Sequence, residues 1–306
     1  MKMDYSGNKG FRLLSIYERL NKGEILNKAE LADTFGVGAK TIQRDIDDLR
    51  AYLAEQHSFE NEVAIRYDRK REGYYLVRFE REWLTNQEVL AVCKILLESR
   101  AFRTDELDAM LDKLLMQVVP SDKRVVQSII SNERMHYVPL RHNKKMMNQI
   151  WELSQAIIQN RVTEISYERK DGVSRTHLIK PVSIMFSEYY FYLIAFMADD
   201  SKTLPTVFRV DRIKQCRCTD ERFKIFRSRF EEGEFRKRVQ FMYSGELHRV
   251  TFWYKGENID SVLDRLPTAT IIEQAEGKYK ITVVVYGDGI YMWLRSQGNR
   301  VEFIDQ

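Results

Sequence analysis

Hydrophobic positions recur at helical spacing through the first fifty residues. Residues 11–20 place apolar side chains three and four positions apart, which predicts an amphipathic helix. Asn27 precedes KAELADTF, and Glu30 follows three positions later, a pattern typical of a capped helix start. After the turn residues GVGA, a third set of apolar residues shares one face of a helix that starts near Thr41: Ile42, Ile46, Leu49 and Leu53. The pattern therefore predicts three short helices around one small core.

The next segments change to the composition of strands. VAIRY and GYYLV are rich in β-branched and aromatic residues, and DRKREG lies between them, so a β-hairpin is expected. Helix, helix, turn, helix and hairpin is the element order of a winged helix-turn-helix. We expect this domain to span residues 1–79.

Residues 80–160 return to a helical pattern. Thr85 and Glu88 have the spacing of a capping box, and Thr104 and Ser121 are placed to open two further helices. A fourth helix is expected in NKKMMNQIWELSQAIIQN. This region is predicted to be a helical linker that also dimerises the chain.

From residue 161 the pattern is that of short strands separated by turns. VTEISY, THLIKPVSIMF, YYFYLIAFM and VFRVDRIKQCRC predict a small antiparallel sheet or barrel over residues 161–240. Residues 241–306 mix two strand-like with two helix-like segments, which indicates a small α/β domain. The predicted fold class is a multidomain α+β chain.

Composition places the chain among folded soluble proteins. Its 306 residues are 44% hydrophobic and 31% charged, enough for several compact domains. No stretch approaches the roughly 20 apolar residues that cross a bilayer, so we expect a cytoplasmic protein without a membrane partner. Three cysteines, Cys93, Cys216 and Cys218, do not have the spacing of a disulfide framework or a zinc site, so a reducing compartment is expected.

Side chains suited to contacts with DNA lie near the start of the predicted third helix, although the basic surplus of the chain lies in residues 161–240. In a helix-turn-helix the first turns of the third helix reach the major groove, and Lys40, Thr41, Gln43 and Arg44 lie there. Glutamine can read adenine and arginine guanine, while lysine and threonine can also bind phosphate. Three more cations lie at the hairpin tip, where they can follow the DNA backbone: Arg69, Lys70 and Arg71. The competing interpretation is that these are ordinary solvated charges.

One phrase in this segment has a specific resemblance. Residues 39–49, AKTIQRDIDDL, resemble the helix-turn-helix signature of a large bacterial regulator family, with Ala39 in place of the more usual serine. The resemblance implies that the start of this third helix meets DNA.

The middle region resembles the WYL domain, which is named for a Trp-Tyr-Leu triplet and commonly follows such a DNA-binding unit. The matching triplet is Phe191-Tyr192-Leu193, supported by ISY at 165–167, IKPVSI around Pro181 and FRVDRI at 208–213. The resemblance implies a small Sm-like antiparallel β barrel that senses a ligand, followed by a C-terminal extension domain that helps dimers form. Two residues depart from the family pattern: Phe191 replaces the Trp of the triplet, and Thr206 replaces an Arg that is frequent at that position. Both departures bear on which ligand the domain binds.

The resemblance also implies a ligand site. Tyr192, Arg209 and Arg212 would line a basic groove in which guanidinium groups bind phosphate and a tyrosine ring stacks on a base. By strand alternation Arg209 shares a face with Asp211 rather than with Arg212, so only a twist or bulge would bring both arginines to one site. The alternatives are that Tyr192 is a core residue and that Arg212 pairs with Asp211 or another acid. Weaker candidates for extending the groove are Arg227, Arg229, Arg236, Lys237, Arg238 and Arg295.

No motif in the sequence indicates a catalytic site. It has no Gly-rich phosphate loop and no HExxH or GxSxG motif, and its five histidines are scattered, so neither an enzyme nor a metal or cofactor site is expected. Two binding functions remain. The first is a homodimeric regulator that binds an operator in double-stranded DNA and responds to a single-stranded oligonucleotide, a nucleotide or another anion. The second is a single-stranded DNA- or RNA-binding accessory factor of a nucleic-acid defence system.

Overall fold

The computed structural model describes residues 8–56, 64–77, 84–118, 120–224 and 230–304. Contacts divide the chain into two compact units. Unit 1 contains residues 1–98 and 107–138, and unit 2 contains residues 99–106 and 139–306. The fold is α+β, as predicted.

Unit 1 begins with three helices and a hairpin. Helices α1 (Lys9–Asn21), α2 (Lys28–Phe35) and α3 (Ala39–Gln56) precede strands β1 (Ala64–Asp68) and β2 (Gly73–Val77), which pair antiparallel. Asn27 caps α2 by accepting the backbone N–H groups of Ala29 and Glu30 at 2.8 and 3.4 Å. The predicted apolar face of α3 is buried, and with residues of α1, α2 and the hairpin it forms one core: Ile16, Leu20, Leu26, Leu31, Ile42, Ile46, Leu49, Leu53, Ile65 and Tyr74.

Three further helices follow: α4 (Asn86–Ser99), α5 (Thr104–Leu115) and α6 (Pro120–Met135). Helix α4 starts with the predicted capping box. The Thr85 backbone N–H donates to the Glu88 carboxylate at 2.7 Å, and the Glu88 N–H donates to the Thr85 hydroxyl at 3.2 Å. Arg134 of α6 donates to Asp108 and Asp112 of α5 at 2.6 and 2.7 Å, which fixes these two helices side by side.

Unit 2 contains helix α7 (Met147–Ile158) and a five-stranded antiparallel sheet. The strands are β3 (Arg161–Glu168), β4 (Ser174–Ser187), β5 (Tyr190–Met197), β6 (Thr206–Arg209) and β7 (Ile213–Arg222), in the order β6-β5-β4-β3-β7. The segment VFRVDRIKQCRC is therefore not one strand, because a 3₁₀ turn at Val210–Arg212 separates β6 from β7.

This sheet is curled but does not close into the expected barrel. Among the described residues no ladder joins the edge strands β6 and β7. Five flat strands would place these edges about 19 Å apart at the usual strand spacing. Four chain steps from Arg209 to Ile213 reach only about 14 Å when fully extended. The sheet must therefore curl until the two edges approach at this end, which leaves an open barrel.

The rest of unit 2 contains helix α8 (Glu232–Arg238) and a second sheet. Strands β8 (Leu247–Tyr254), β9 (Thr270–Ala275), β10 (Lys278–Tyr286) and β11 (Val301–Phe303) pair antiparallel in the order β11-β8-β10-β9. Helices α9 (Asp260–Arg265) and α10 (Gly289–Ser296) complete a β-α-β-β-α-β succession. Side chains of both helices pack with the sheet in one core, in which Phe252 is fully buried.

Candidate nucleic-acid interface and candidate effector site

The outer face of α3 presents two cations at its N-terminal end. Since Ile42 and Ile46 face the core, Lys40 and Arg44 are turned outward and are exposed. Neither forms an ion pair or a side-chain hydrogen bond with any part of the chain that the structure describes. Thr41, between them, is half-buried. This face therefore offers two uncommitted cations to an anionic partner.

Gln43 is engaged within the protein. Its side-chain oxygen accepts the Tyr74 hydroxyl at 2.8 Å and lies 3.4 Å from the Lys28 ammonium. Its amide nitrogen donates to both carboxylate oxygens of Asp47 at 3.2 Å. Gln43 thus differs from Lys40 and Arg44, with which sequence position had grouped it.

The hairpin tip carries the three predicted cations on a well-defined turn. Arg69, Lys70 and Arg71 are all exposed. The Asp68 carboxylate shapes the turn by accepting the Lys70 and Arg71 backbone N–H groups at 2.8 and 3.2 Å. It also lies 3.8 Å from the Arg71 guanidinium, while Arg69 has no ion pair with any described residue. The tip therefore presents positive charge to solvent.

A buried ion pair, which no sequence pattern indicated, positions α3. Arg12 of α1 donates to Asp45 of α3 through two nitrogens, at 2.6 and 3.1 Å. Arg12 is 5% exposed and Asp45 1%. The hydrogen bond to Asp45 raises the pKa of Arg12 above its usual value, against the effect of burial. The pair locks the two helices in one arrangement.

In unit 2, Arg209 at the end of β6 is already occupied on two sides. Its Nε and Nη2 donate to the two carboxylate oxygens of Asp211 at 3.0 and 2.7 Å. Its guanidinium carbon lies 3.4 Å from the ring centre of Tyr190. Burial lowers the pKa of Arg209, but the hydrogen bond to Asp211 and the electrostatic attraction of Asp211 and the neighbouring tyrosines together outweigh it, so the net pKa is raised.

Tyr192 and Tyr190 project from the same strand into this area. Tyr192 pairs with Arg209 across β5 and β6, and its ring lies 6.4 Å from that of Tyr190. Burial raises the pKa of the half-buried Tyr192, which keeps its hydroxyl neutral. Tyr167 of β3, the strand next to the edge strand β7, also contacts this area, because its hydroxyl accepts the Arg209 backbone N–H at 3.3 Å.

The segment before α7 closes the same area. The Lys144 ammonium donates to the backbone carbonyl of Asp211, and the Lys144 backbone N–H donates to His142 Nδ1 at 3.1 Å. The His142 ring lies 6.4 Å from that of Tyr190, and burial lowers its pKa. We call the following residues the Arg209 cluster: His142, Lys144, Tyr190, Tyr192, Arg209, Asp211 and Arg212.

Arg212 is the available cation of this cluster. It lies in the 3₁₀ turn, is half-buried, and forms no ion pair or side-chain hydrogen bond with the described chain. Asp211 is instead paired with Arg209, and because it lies in a 3₁₀ turn, the strand alternation assumed from the sequence does not apply to it. Arg209 lies just before this 3₁₀ turn and Arg212 is its last residue.

The remaining residues singled out from the sequence are not members of the Arg209 cluster. Phe191 packs against Phe102 and Phe186, with ring centres 5.6 and 5.1 Å apart, so it belongs to an aromatic core. Lys237 and Arg238 pair with Glu234. Arg236 donates to a backbone carbonyl and is exposed, as is Arg295, while Thr206 is half-buried on β6. Arg227 and Arg229 lie outside the described residues.

A separate pocket of about 430 Å³ lies in unit 2. None of its lining residues belongs to the Arg209 cluster, and it combines aromatic rings with two glutamates and one arginine: Thr203, Leu204, Pro205, Phe230, Glu231, Glu234, Phe235, Arg238 and Tyr286. Within the described ranges, no group of three or more His, Cys, Asp or Glu side chains could hold a metal ion. None of the described helices is long and apolar enough to cross a membrane.

Sequence reasoning missed three members of the Arg209 cluster. Tyr190 had a detectable signal, because it lies two residues before Tyr192 and so shares its strand face. His142 and Lys144 had none, since they come from a loop almost fifty residues earlier in the chain.

Comparison with known proteins identifies one domain. Residues 150–218 match the WYL domain, so a WYL domain is present in this chain. The match contains Tyr190, Tyr192, Arg209, Asp211 and Arg212. No curated protein matches the sequence.

Two solved structures are similar at low identity. Proteasome accessory factor B/C (PafBC) of Arthrobacter aurescens is 15% identical, with 96% of this chain and 44% of that chain covered and a TM-score of 0.30. A CRISPR Cas-related protein is 12% identical, with 88% of this chain and 69% of that chain covered and a TM-score of 0.37. This chain therefore spans less than half the length of the PafBC chain, and neither likeness is close enough to carry an argument.

Proposed function

We propose that this protein is a transcription regulator that binds duplex DNA through a winged helix-turn-helix formed by α1, α2, α3 and the β1–β2 hairpin. The observation that carries the proposal is the outer face of α3, where Lys40 and Arg44 are exposed and have no partner in the described chain. Two such cations four residues apart at the N-terminal end of a recognition helix suit guanine and phosphate. The cationic tip at residues 69–71 suits the neighbouring DNA backbone.

We propose that the WYL domain senses an anionic, nucleic-acid-like effector at the Arg209 cluster. Arg212 has its hydrogen-bond donors free of protein partners within the described chain, and guanidinium groups bind phosphate in a planar, two-point manner. Tyr190 and Tyr192 of the same cluster lie beside Arg209 and offer rings on which a base can stack. A sugar phosphate would satisfy the same arginine, so the effector class is defined by its anion.

The protein is proposed to act as a homodimer, because operators read by helix-turn-helix proteins usually have two half-sites related by two-fold symmetry. Sedimentation equilibrium of the full chain, with and without the operator, measures this directly. A monomer on a single half-site would contradict the dimer proposal and leave the DNA-binding proposal intact.

The decisive experiment selects binding sites from duplexes with a randomised core and then measures affinity for the selected duplex. Lys40→Ala combined with Arg44→Ala should lower that affinity about 5- to 150-fold, the range for removing a single bidentate interaction with a base. Arg124→Ala is the matched control, because Arg124 is an exposed arginine on α6 with no assigned role.

The effector arm repeats the measurement with a short single-stranded DNA added. Operator affinity should change for the wild type and for Arg217→Ala, which removes an exposed arginine of β7, but not for Arg212→Ala. Tight single-strand binding with no selected duplex, unaffected by the Lys40 and Arg44 substitutions, would refute the regulator proposal. That result would favour the accessory-factor function instead.

A further inference from the structure

The hydrogen bonds of Gln43 join three elements of unit 1 at the edge of the proposed DNA-binding surface. Gln43 lies on α3, Tyr74 is the second residue of β2, and Lys28 is the first residue of α2. Tyr74 is only 6% exposed, and a buried tyrosine hydroxyl usually needs a partner. Among described residues, the Tyr74 hydroxyl has its hydrogen bond with Gln43.

The acceptor side of the Gln43 amide is fully used. A carboxamide oxygen has two lone pairs, and here the Tyr74 hydroxyl and the Lys28 ammonium take both. Reading adenine requires the same oxygen to accept from the base while the amide nitrogen donates to it. Gln43 could read a base only by giving up one of these two contacts together with the bonds of its amide nitrogen to Asp47.

Tyr74 lies at the base of the hairpin tip. It follows Gly73, which pairs with Asp68 at the last rung before the tip cations. Its backbone exchanges two hydrogen bonds of 2.8 Å with Leu26, which ties β2 to the segment before α2. Gln43 adds the link to the exposed end of α3, while Arg50 makes a second link further along through the Ile65 carbonyl at 3.0 Å.

We infer that Gln43 is a positioning residue that sets the hairpin tip relative to the DNA-reading face of α3, and that it does not itself read a base. The inference rests on the proposed DNA-binding function and assigns the reading of bases to Lys40 and Arg44. The Gln43–Tyr74 bond then adds to the other links of the hairpin the one that aligns the tip cations with phosphates beside α3.

The test is the salt dependence of duplex binding. Each phosphate that a protein cation neutralises contributes about 0.9 to the slope of log affinity against log salt concentration. Gln43→Leu removes no charge, yet it should lower this slope by about 0.9 for each tip cation that no longer reaches a phosphate. It should also weaken binding to every duplex alike, by about 2- to 10-fold, the effect of one or two net hydrogen bonds.

Two controls make the result specific. Tyr74→Phe removes only the hydroxyl and should reproduce the loss of slope, and the double variant should be no worse than Gln43→Leu alone. In a variant that already lacks the tip cations, Arg69→Ala with Lys70→Ala and Arg71→Ala, the Gln43 substitution should not lower the salt slope further.

Base preference, determined from the randomised duplexes, is a separate readout. It should be unchanged in Gln43→Leu and altered in Arg44→Ala.

Loss of preference for one base at one position in Gln43→Leu, with an unchanged salt slope, would overturn the inference. If the wild type selects no duplex at all, the proposed function fails for a different reason. In that case, the rate of amide hydrogen exchange in β2 tests whether Gln43 anchors the hairpin. The anchoring role is supported if both single variants accelerate exchange equally and the double variant exchanges no faster than either. It is refuted if the effects of the two substitutions add in the double variant.

Discussion

At the scale of single residues, the Arg12–Asp45 pair is the most consequential interaction of unit 1. Two charges are removed from water, and each remains stable only because the other neutralises it. A pair between exposed groups is worth much less, and Lys9–Asp48, with 62% and 48% of its side chains exposed, provides one between the same two helices.

Replacing one partner of the buried pair should therefore strongly destabilise unit 1. Asp45→Asn is expected to lower the free energy of local unfolding of α1 and α3 by about 3–5 kcal/mol, because it leaves the buried Arg12 charge unbalanced. Asp48→Asn should cost less than about 1 kcal/mol. Native-state amide exchange of α1 and α3 measures both. Equal losses would show that burial does not distinguish the two pairs.

The half-buried histidines of unit 2 should make its stability depend on pH. Burial lowers the pKa of His142 and of His177 in the folded chain. Below the ordinary histidine pKa the unfolded chain then binds more protons than the folded one, so stability is complete above that pKa and is lost as pH falls below it.

Denaturant unfolding at pH 7.5 and at pH 5.5 tests the direction of this pH dependence of stability. The wild type should be less stable at the lower pH, and His142→Gln should reduce the difference. His136→Gln, which replaces an exposed ring of unit 1, is the matched control. A pH dependence of the same size in His142→Gln would exclude His142 as a source.

At the scale of secondary-structure elements, local capping explains where α2 and α4 begin. The Thr85–Glu88 box satisfies two backbone N–H groups that a helix start otherwise leaves without a partner. The hydrogen bonds to Thr85 also lower the pKa of Glu88, so the box is retained in weak acid.

Thr85→Ala should therefore cost about 1 kcal/mol in the stability of α4. Thr34→Ala is the control, because the Thr34 hydroxyl donates to a carbonyl within its own helix and caps nothing. Amide exchange at the N-terminal end of α4 should accelerate about fivefold in the first variant and change little in the second. An equal effect of the two would indicate that general helix propensity, not capping, sets this boundary.

The open barrel is an element-scale feature with a functional result. The short turn Val210–Arg212 connects the two edge strands, so it holds Arg209 and Arg212 beside the gap between them. Tyr167 reaches into this gap from β3, with its ring 5.1 Å from that of Phe208 on β6. Arg209 thus ends a paired strand, while Arg212 lies in the turn that follows it.

At the scale of the whole molecule, the proposed regulator requires coupling between its two units. Binding linkage is reciprocal, so the factor by which an oligonucleotide changes operator affinity must equal the factor by which the operator changes oligonucleotide affinity. The two factors should agree for the wild type and both should equal one for Arg212→Ala. Titrations in both orders provide the four affinities. A factor of one for the wild type would contradict the coupling, whereas unequal factors would show only that the titrations had not reached equilibrium.

The sequence alone determined those features that depend on neighbours along the chain. The buried face of α3, the cap at Asn27 and the Thr85–Glu88 box follow from spacings of three and four residues, because a helix brings such positions together whatever surrounds it. The antiparallel pairing of the short strands followed from alternation and turn residues in the same way.

Only the tertiary structure decided which distant residues meet. Arg12 and Asp45 are 33 positions apart and Gln43 and Tyr74 are 31 apart, so no local period could have paired them. Lys144 reaches the Asp211 carbonyl from 67 positions away. These interactions arise when packing of the apolar faces fixes how the chain returns on itself. That packing supplied protein partners to Gln43, which its position in the third helix had assigned to DNA, and to Arg209, which the family resemblance had assigned to a ligand.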